Sequence, residues 1–396
     1  MQEIIDQLAE TIRVAAASNV PLCIRSGGTK DFYGQQDKGR DRVRGRILDP
    51  SAYAGIVDYE PTELVVTARA GTPLAQLETE LNDHGQMLAF ESPHFGGGAT
   101  LGGCVATGLS GPRRASAGAV RDFVLGVRML DGRGDDLSFG GQVMKNVAGY
   151  DISRLMAGSM GTLGLLLEVS LKVLPLPPEE RTLCLSMNEA EAVEKMNRWA
   201  GKPLPISATC FCDGELTVRL SGATSAVRAA RTVLGGEEIT EGSSFWESIR
   251  EQTHPFFRSG KQLWRLSIKS TTPPLSLPGK QLIEWGGAMR WLSVDAEMNT
   301  EAMETLARKT AHEHKLLLID PKLLELSVYG GIPHLIADVV TNPKRAAAAL
   351  AGVVHKMEER YQVMAALGVR SIDQYNARVD RELAAGNKTF RLRTKP

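Results

Sequence analysis

Seventeen of the 40 glycines of this 396-residue chain fall between His94 and Gly164, within 71 residues. Glycine weakens helices and strands alike, so this stretch must be loops and tight turns strung between short elements. Without a Cβ, the backbone can also come close to a ligand. A smaller cluster, "RSGGTK" at 25–30, follows the predicted strand Pro21–Arg25. Successive N–H groups in such a turn form a concavity suited to an anion such as a pyrophosphate. Two loops of this kind in one α+β domain point to a large, extended ligand held between them.

The familiar nucleotide loops are absent. A Rossmann fingerprint needs glycines at i, i+2 and i+5. Gly96/Gly98 and Gly132/Gly134 supply the first two, but Leu101 and Leu137 stand at the third. A Walker A loop needs a glycine six residues before its lysine. Lys202, Lys261 and Lys280 each follow a glycine, yet Met196, Pro255 and Pro274 occupy the earlier position.

Lys plus Arg equals Asp plus Glu, 46 each, so there is no basic footprint for nucleic acid and no nucleic-acid partner is expected. The acidic, amphipathic N-terminus does not read as a secretory signal, and no apolar run approaches a membrane span; a cytoplasmic protein is expected. Five cysteines without a CxxC pair argue against iron–sulfur and zinc sites, and Cys210 and Cys212 read as a buried thiol pair on one strand face. His312 and His314 lack a third ligand at a recognisable spacing, so no metal is expected.

Along the chain, a helix is predicted at 3–18. In the following strand–helix–strand unit, Thr72 would cap the helix from Pro73 to Gly85, and "MLAF" at 87–90 would be extended. A strand at about 164–174 runs into prolines at 175–178, where a domain boundary is placed. Beyond it, "RTLCLSM", the helix "EAEAVEKMNRWA", a hairpin turning on Asp213-Gly214, the helix "ATSAVRAARTVL" and strands "LWRLSIKS" and "GAMRWLSVD" give a βαββαβ-like order, an α+β domain. After about residue 300 the character changes to "AHEHKLLLIDPK" and a long helix near 343–366.

The segments "RSGGTK", "AGTPLAQLETEL", "GQMLAFESP", "GATLGGCVATGLSGPRRASAGAVRDFVLGVRMLDG", "KNVAGYDISRLMAGSMGTLG" and "LKVLPLP" occur in the order and spacing of one family. On them, residues 1–178 resemble the vanillyl-alcohol oxidase/PCMH-type FAD-binding flavoproteins. "FWESIREQTHPFF", "LWRLSIK" and "LIEWGGAMRWL" extend the likeness, over residues 1–296, to the E-subunit family of bacterial glycolate oxidases.

The resemblance implies that Ser26, Gly27, Gly28 and Thr29 present backbone amides to the FAD pyrophosphate. It implies that Thr100, Gly102, Gly103, Ala106 and Thr107 line the cofactor, and that Gly158, Gly161 and Gly164 pack near its adenine or ribitol end. Thr29 stands where many relatives carry a flavin-linked His, implying non-covalent FAD. Met160 replaces the Glu of a Gly-Ser-Glu-Gly pattern. The implied function is oxidation of a small 2-hydroxy acid, glycolate to glyoxylate, by a complex with a sister flavin subunit and an iron–sulfur subunit, associated peripherally with the membrane. A catalytically silent scaffold in the same complex is the alternative.

Residues 315–396, from "LLLIDPKLLELSVYGGIPHLIADVVTNPKRAAAALAGVVHKMEERYQVMAALGVRSIDQYNARV", resemble instead the Walker B region of the FtsK/SpoIIIE DNA-translocase family. There Asp320 would hold Mg²⁺ through water. No phosphate loop precedes it, and phosphoryl transfer depends almost wholly on positioning, so no ATPase activity is expected. The chain thus reads as a chimera: a PCMH-type two-subdomain FAD-binding fold over 1–178, a truncated ferredoxin-like α+β cap over 179–300, and a partial α/β motor fragment over 301–396.

No catalytic base is evident. Lys145 and Tyr150 are read as fixing the loop beside the flavin. Arg113 and Arg114 offer guanidinium forks for a substrate carboxylate, although a surface role is commoner for arginine.

Overall fold

The computed structural model describes residues 1–33, 45–141, 151–259, 262–275, 277–295, 354–355, 358, 361–369 and 372–385. The chain divides into two compact units, Met1–Met298 and Asn299–Pro396.

The first unit is α+β and begins with helix α1 (Gln2–Ala17). Ile5, Leu8, Ala9, Ile12 and Ala15 recur at three- and four-residue spacing, so one face of α1 is apolar and buried. Strand β1 (Leu22–Ile24) pairs in parallel with β2 (Arg46–Leu48). Then come β3 (Ile56–Glu60), β4 (Val65–Arg69), helix α2 (Leu74–Asp83), β5 (Gln86–Met87) and helix α3 (Leu101–Thr107). Two one-turn helices, α4 (Arg114–Ala117) and α5 (Val120–Phe123), lead to β6 (Val124–Leu130), β7 (Asp136–Gly140), α6 (Ile152–Leu155), β8 (Leu165–Lys172) and β9 (Leu174–Pro175).

Five of these strands form a sheet in the order β3-β4-β8-β6-β7, every pair antiparallel. Its central strand, "LLLEVSLK", has six of eight residues buried because the sheet is covered on both faces. Val66, Ala68, Val169 and Leu171 pack with Leu74, Leu77 and Leu81 of α2 and with Leu101 and Val105 of α3. Leu130, Leu165 and Leu167 meet the apolar face of α1.

A second sheet follows, built from β10 (Glu179–Ser186), helix α7 (Glu189–Ala200), β11 (Ile206–Cys212), β12 (Glu215–Gly222), helix α8 (Thr224–Leu234), β13 (Glu237–Glu238), helix α9 (Gly242–Arg250), β14 (Gln262–Ser267), β15 (Lys280–Glu284) and β16 (Met289–Val294). The order is β13-β10-β12-β11-β15-β16-β14, again antiparallel. Helices α7 and α8 cover one face through Val193, Met196, Trp199, Val227 and Ala230, while α9 packs Trp246 and Ile249 near Ala208, Cys210 and Leu282. The β11–β12 hairpin turns on Asp213-Gly214, with φ of 48° and 87°, the left-handed pair that a two-residue primed turn demands.

Two local expectations are corrected. Thr72 does not cap α2: Pro73 holds the cap position, and Thr72 Oγ1 instead accepts from Gly55 N at 2.9 Å. The segment 87–90 is not extended throughout. Its partner strand β9 is two residues long and ends on a proline, so pairing covers Gln86 and Met87 only. Leu88–Phe90 then turns into the core, where Phe90 meets Phe123 edge-on at 5.3 Å between centroids.

In the second unit the element described is a helix at Ile372–Ala384. Of the helix expected near 343–366, residues 354–355, 358 and 361–366 are described and helical. Asp320, His312, His314, Asn342, Pro343, Lys145 and Tyr150 lie outside the described residues.

Candidate functional site

A cavity of about 260 Å³ opens between the turn after β1, the start of α3 and the segment leading into β8. Ser26, Gly27, Gly28, Thr29, Thr100, Gly102, Gly103, Ala106, Thr107, Gly161 and Gly164 all line it. Two loops some 70 residues apart in sequence therefore form one wall, and their backbones touch. A Cβ placed on Gly27 would lie 1.7 Å from the carbonyl oxygen of Gly98, and one on Gly98 would lie 3.2 Å from that of Gly27. Gly28 adopts φ +65°, which turns the chain back so that Asp31 N bonds to Gly28 O.

Gly158 is the one predicted residue outside the lining. It is exposed, and its N–H donates to Val105 O of α3 at 3.0 Å. Its role is to brace that helix. Thr100 caps α3 through Oγ1, which accepts from Gly103 N at 3.3 Å, and Thr107 Oγ1 donates to Gly103 O at 2.8 Å.

The donor set fits a diphosphate-bearing dinucleotide. Among the described residues, the backbone N–H groups of Ser26, Gly27, Gly28, Thr29 and Lys30 donate to no protein acceptor. Five successive free donors make the concavity expected from the sequence. On the opposite side, the buried Ser159 Oγ also lacks a partner. The glycine-rich walls of the cavity let backbone come close to such a ligand.

Arg25 and Lys30, which had no role assigned from the sequence, also line the cavity, as does Met160. Arg25 Nε bonds Asp31 Oδ2 at 2.7 Å, so that pair is neutral overall. Met160 takes φ 53° and donates its N–H to Ala106 O at 2.8 Å, a strained position for a side-chain-bearing residue. Lys30 is buried at the cavity wall. Its position directly after the glycine turn was a sequence signal that could have marked it.

Arg113 serves neither as a carboxylate fork for a ligand nor as a surface residue. It is buried, with Nη2 on Glu180 Oε2 at 2.7 Å and Nε on Glu91 Oε1 at 3.3 Å. Arg219 of β12 completes the cluster, 2.8 Å from Glu91. Burial pushes the Glu91 carboxyl upward, but the two guanidinium groups outweigh this and hold it below its ordinary range. Arg114 is exposed and stacks 4.4 Å above the ring of Trp285, whose Nε1 donates to Gly111 O. These contacts join the first sheet's loops to the second sheet.

At the second sheet, Glu284 is buried and accepts from Trp291 Nε1 at 2.8 Å. Burial raises its carboxyl to about 7. No group of three or more His, Cys, Asp or Glu is placed to hold a metal among the described residues.

Comparison with known proteins agrees with this geometry. Residues 3–140 match the FAD binding domain family, and residues 299–393 match the FtsK/SpoIIIE family. The chain is 50% identical over 292 residues to glycolate oxidase subunit GlcE of Escherichia coli (strain K12), covering 74% of this chain and 81% of the relative. It is 50% identical over 94 residues to the DNA translocase FtsK of Rhizobium meliloti (strain 1021), covering 24% of this chain and 11% of that protein. Only about a tenth of the translocase is thus represented.

The motor-family match starts at 299, the residue that opens the second compact unit, and so earlier than the motif-bearing stretch from 315. Residues 299–314 carry no motif of their own, which is why sequence reading alone placed the start later. Among solved structures, alkyldihydroxyacetonephosphate synthase superposes with a TM-score of 0.58 at 14% identity, over 78% of this chain and 70% of that one. Wild-type Phl p 4.0202, a glucose dehydrogenase, gives 0.52 at 14% identity, over 77% and 73%. These two show the fold. The chain belongs to the family of glycolate oxidase subunit GlcE.

Proposed function

We propose that this chain is the FAD-binding subunit of a glycolate oxidase-type complex that oxidises a small 2-hydroxy acid, glycolate to glyoxylate. The observation that carries this is the single slot in which the turn at 26–30 and the loop at 98–107 meet, with five unpaired backbone donors on one side. In this reading the N–H groups of Ser26, Gly27, Gly28 and Thr29 hold the diphosphate. Thr100, Gly102, Gly103, Ala106 and Thr107 line the dinucleotide, and Gly161, Gly164 and Ser159 bound it from the other side. Gly158 supports α3 through its bond to Val105 O. Thr29 has no ring nitrogen to form a bond with the isoalloxazine, so the cofactor is held non-covalently.

When bound, FAD would supply the acceptor for the hydride of the substrate's α-carbon, a hydrogen carrying two electrons, while the hydroxyl proton leaves to a base. Glycine walls let the chain close on the cofactor and exclude water from it. A sister flavin subunit and an iron–sulfur subunit complete the complex, which is cytoplasmic and meets the membrane peripherally. Among the described residues no helix is long and apolar enough to cross a membrane. The cofactor domain corresponds to 1–178, the cap to 179–300, and 301–396 is a motor fragment without its phosphate loop.

The purified full chain should show flavin absorption bands, and acid precipitation should release all of the flavin into the supernatant. Gly27→Ala, whose Cβ would collide with Gly98 O, should reduce FAD affinity by about tenfold or more. A colourless protein that takes up no added FAD would refute the proposal.

A further inference from the structure

We propose that Lys30 is the counter-cation for the diphosphate of the bound dinucleotide, giving the cradle a fixed positive charge beside its neutral amide donors. This inference rests on the FAD reading above.

The charge balance of the cavity carries the argument. Its titratable lining residues are Cys23, Arg25, Lys30, Asp31 and Tyr33. Arg25 and Asp31 cancel at 2.7 Å, so among the described lining residues Lys30 is the one uncompensated charge. It is also 9% exposed. Its Nζ reaches the His94 carbonyl at 3.4 Å and lies 5.9 Å from the centroid of the Phe95 ring, with no carboxylate at ion-pair distance among the described residues.

Glu251 favours the charged form of Lys30 from beyond ion-pair distance but does not pair with it. Glu251 spends its carboxylate on the backbone N–H groups of His94 and Phe95 and on Arg250. The Cys104 thiol is pushed up to about 11 by burial and stays neutral. A buried ammonium without a counter-ion is costly, and burial accordingly lowers the Lys30 pKa from its ordinary value. A diphosphate laid against the free N–H groups of 26–30 would bring the missing negative charge to the residue that ends that turn. Charge-assisted bonds of this kind are about twice as strong as those to neutral amides.

The test uses the full chain freed of flavin, titrated with FAD and separately with riboflavin, which has the ring system but no phosphate. Lys30→Met should weaken FAD binding by about 10- to 100-fold and leave riboflavin binding unchanged. Lys30→Arg, which keeps the charge, should retain most of the FAD affinity. Equal weakening toward both ligands, or no weakening toward FAD, overturns the inference. If Lys30→Met does not fold, as judged by its thermal transition, the wild-type protein decides. Its FAD affinity should fall with added salt while riboflavin affinity holds, and parallel salt responses overturn the inference. A wild-type chain that binds riboflavin but not FAD, or neither, sinks the function proposed above rather than the role of Lys30 alone.

Discussion

Glu284 shows how a single residue's surroundings set a property of the folded state. Its partner on the neighbouring strand, Met289, and the face it shares with Cys210 leave it no water, and the indole of Trp291 is its hydrogen-bond donor. With the carboxyl raised to about 7 in the folded protein, against 4.5 ordinarily, the native state retains a proton that the unfolded chain has already lost between those values. Stability therefore declines as pH rises from about 4.5 to 7, and the loss is complete above 7. Replacing the carboxyl with an amide, Glu284→Gln, keeps the acceptor for Trp291 and removes the titration. The variant should be more stable than wild type by about 2–3 kcal/mol at pH 8 and no different at pH 4, read from urea midpoints. An equal gain at both pH values would show that the Glu284 carboxyl titrates alike in the folded and unfolded chain. Nothing in "LIEW" announces this, because the burial depends on the pairing of its strand with β11, about 70 residues earlier, as well as with β16.

At the scale of elements, helix α7 was legible from residues 188–200 alone. Asn188 Oδ1 accepts from Glu191 N at 3.0 Å and Glu191 Oε2 accepts from Asn188 N at 3.3 Å, a reciprocal cap written in the spacing. The Asp213-Gly214 hairpin was legible for the same reason, since the turn's backbone angles select those residue types. Thr72 was misread because its hydroxyl serves Gly55, a partner brought near by the sheet. Arg113 was misread for a similar reason: its acidic partners, Glu91 and Glu180, lie 22 and 67 residues away. That cluster links α4 and the loop at Glu91 to β10 and β12, so its loss should act on the joint between the two sheets. Arg113→Ala leaves Glu91 with Arg219 alone in a buried setting and should destabilise the protein by about 3–5 kcal/mol, measured by urea unfolding. A change below about 1 kcal/mol would mean that water replaces the guanidinium without cost.

On the scale of the whole molecule, the motor-family match begins at residue 299, and the second compact unit begins at the same place. Motor chemistry needs a phosphate loop that no part of this sequence provides, so the full chain should hydrolyse no ATP, with or without DNA. A chain ending at Met298 should bind FAD within about twofold of the full chain, since the described lining residues of the cavity all precede that point. DNA-stimulated ATP turnover, or loss of flavin on that deletion, would contradict this division. By itself the sequence determined the classes of element, the two glycine-rich loops, the missing nucleotide fingerprints and the break between families, because each depends on residues close together along the chain. Tertiary structure alone decided that Gly27 abuts Gly98, that Gly158 bonds to α3, that Arg113 is spent on internal carboxylates and that Lys30 is the charge left over among the described lining residues. Such facts depend on which distant backbones come within a few ångströms of each other, and that proximity exists only once the sheets and their covering helices have packed.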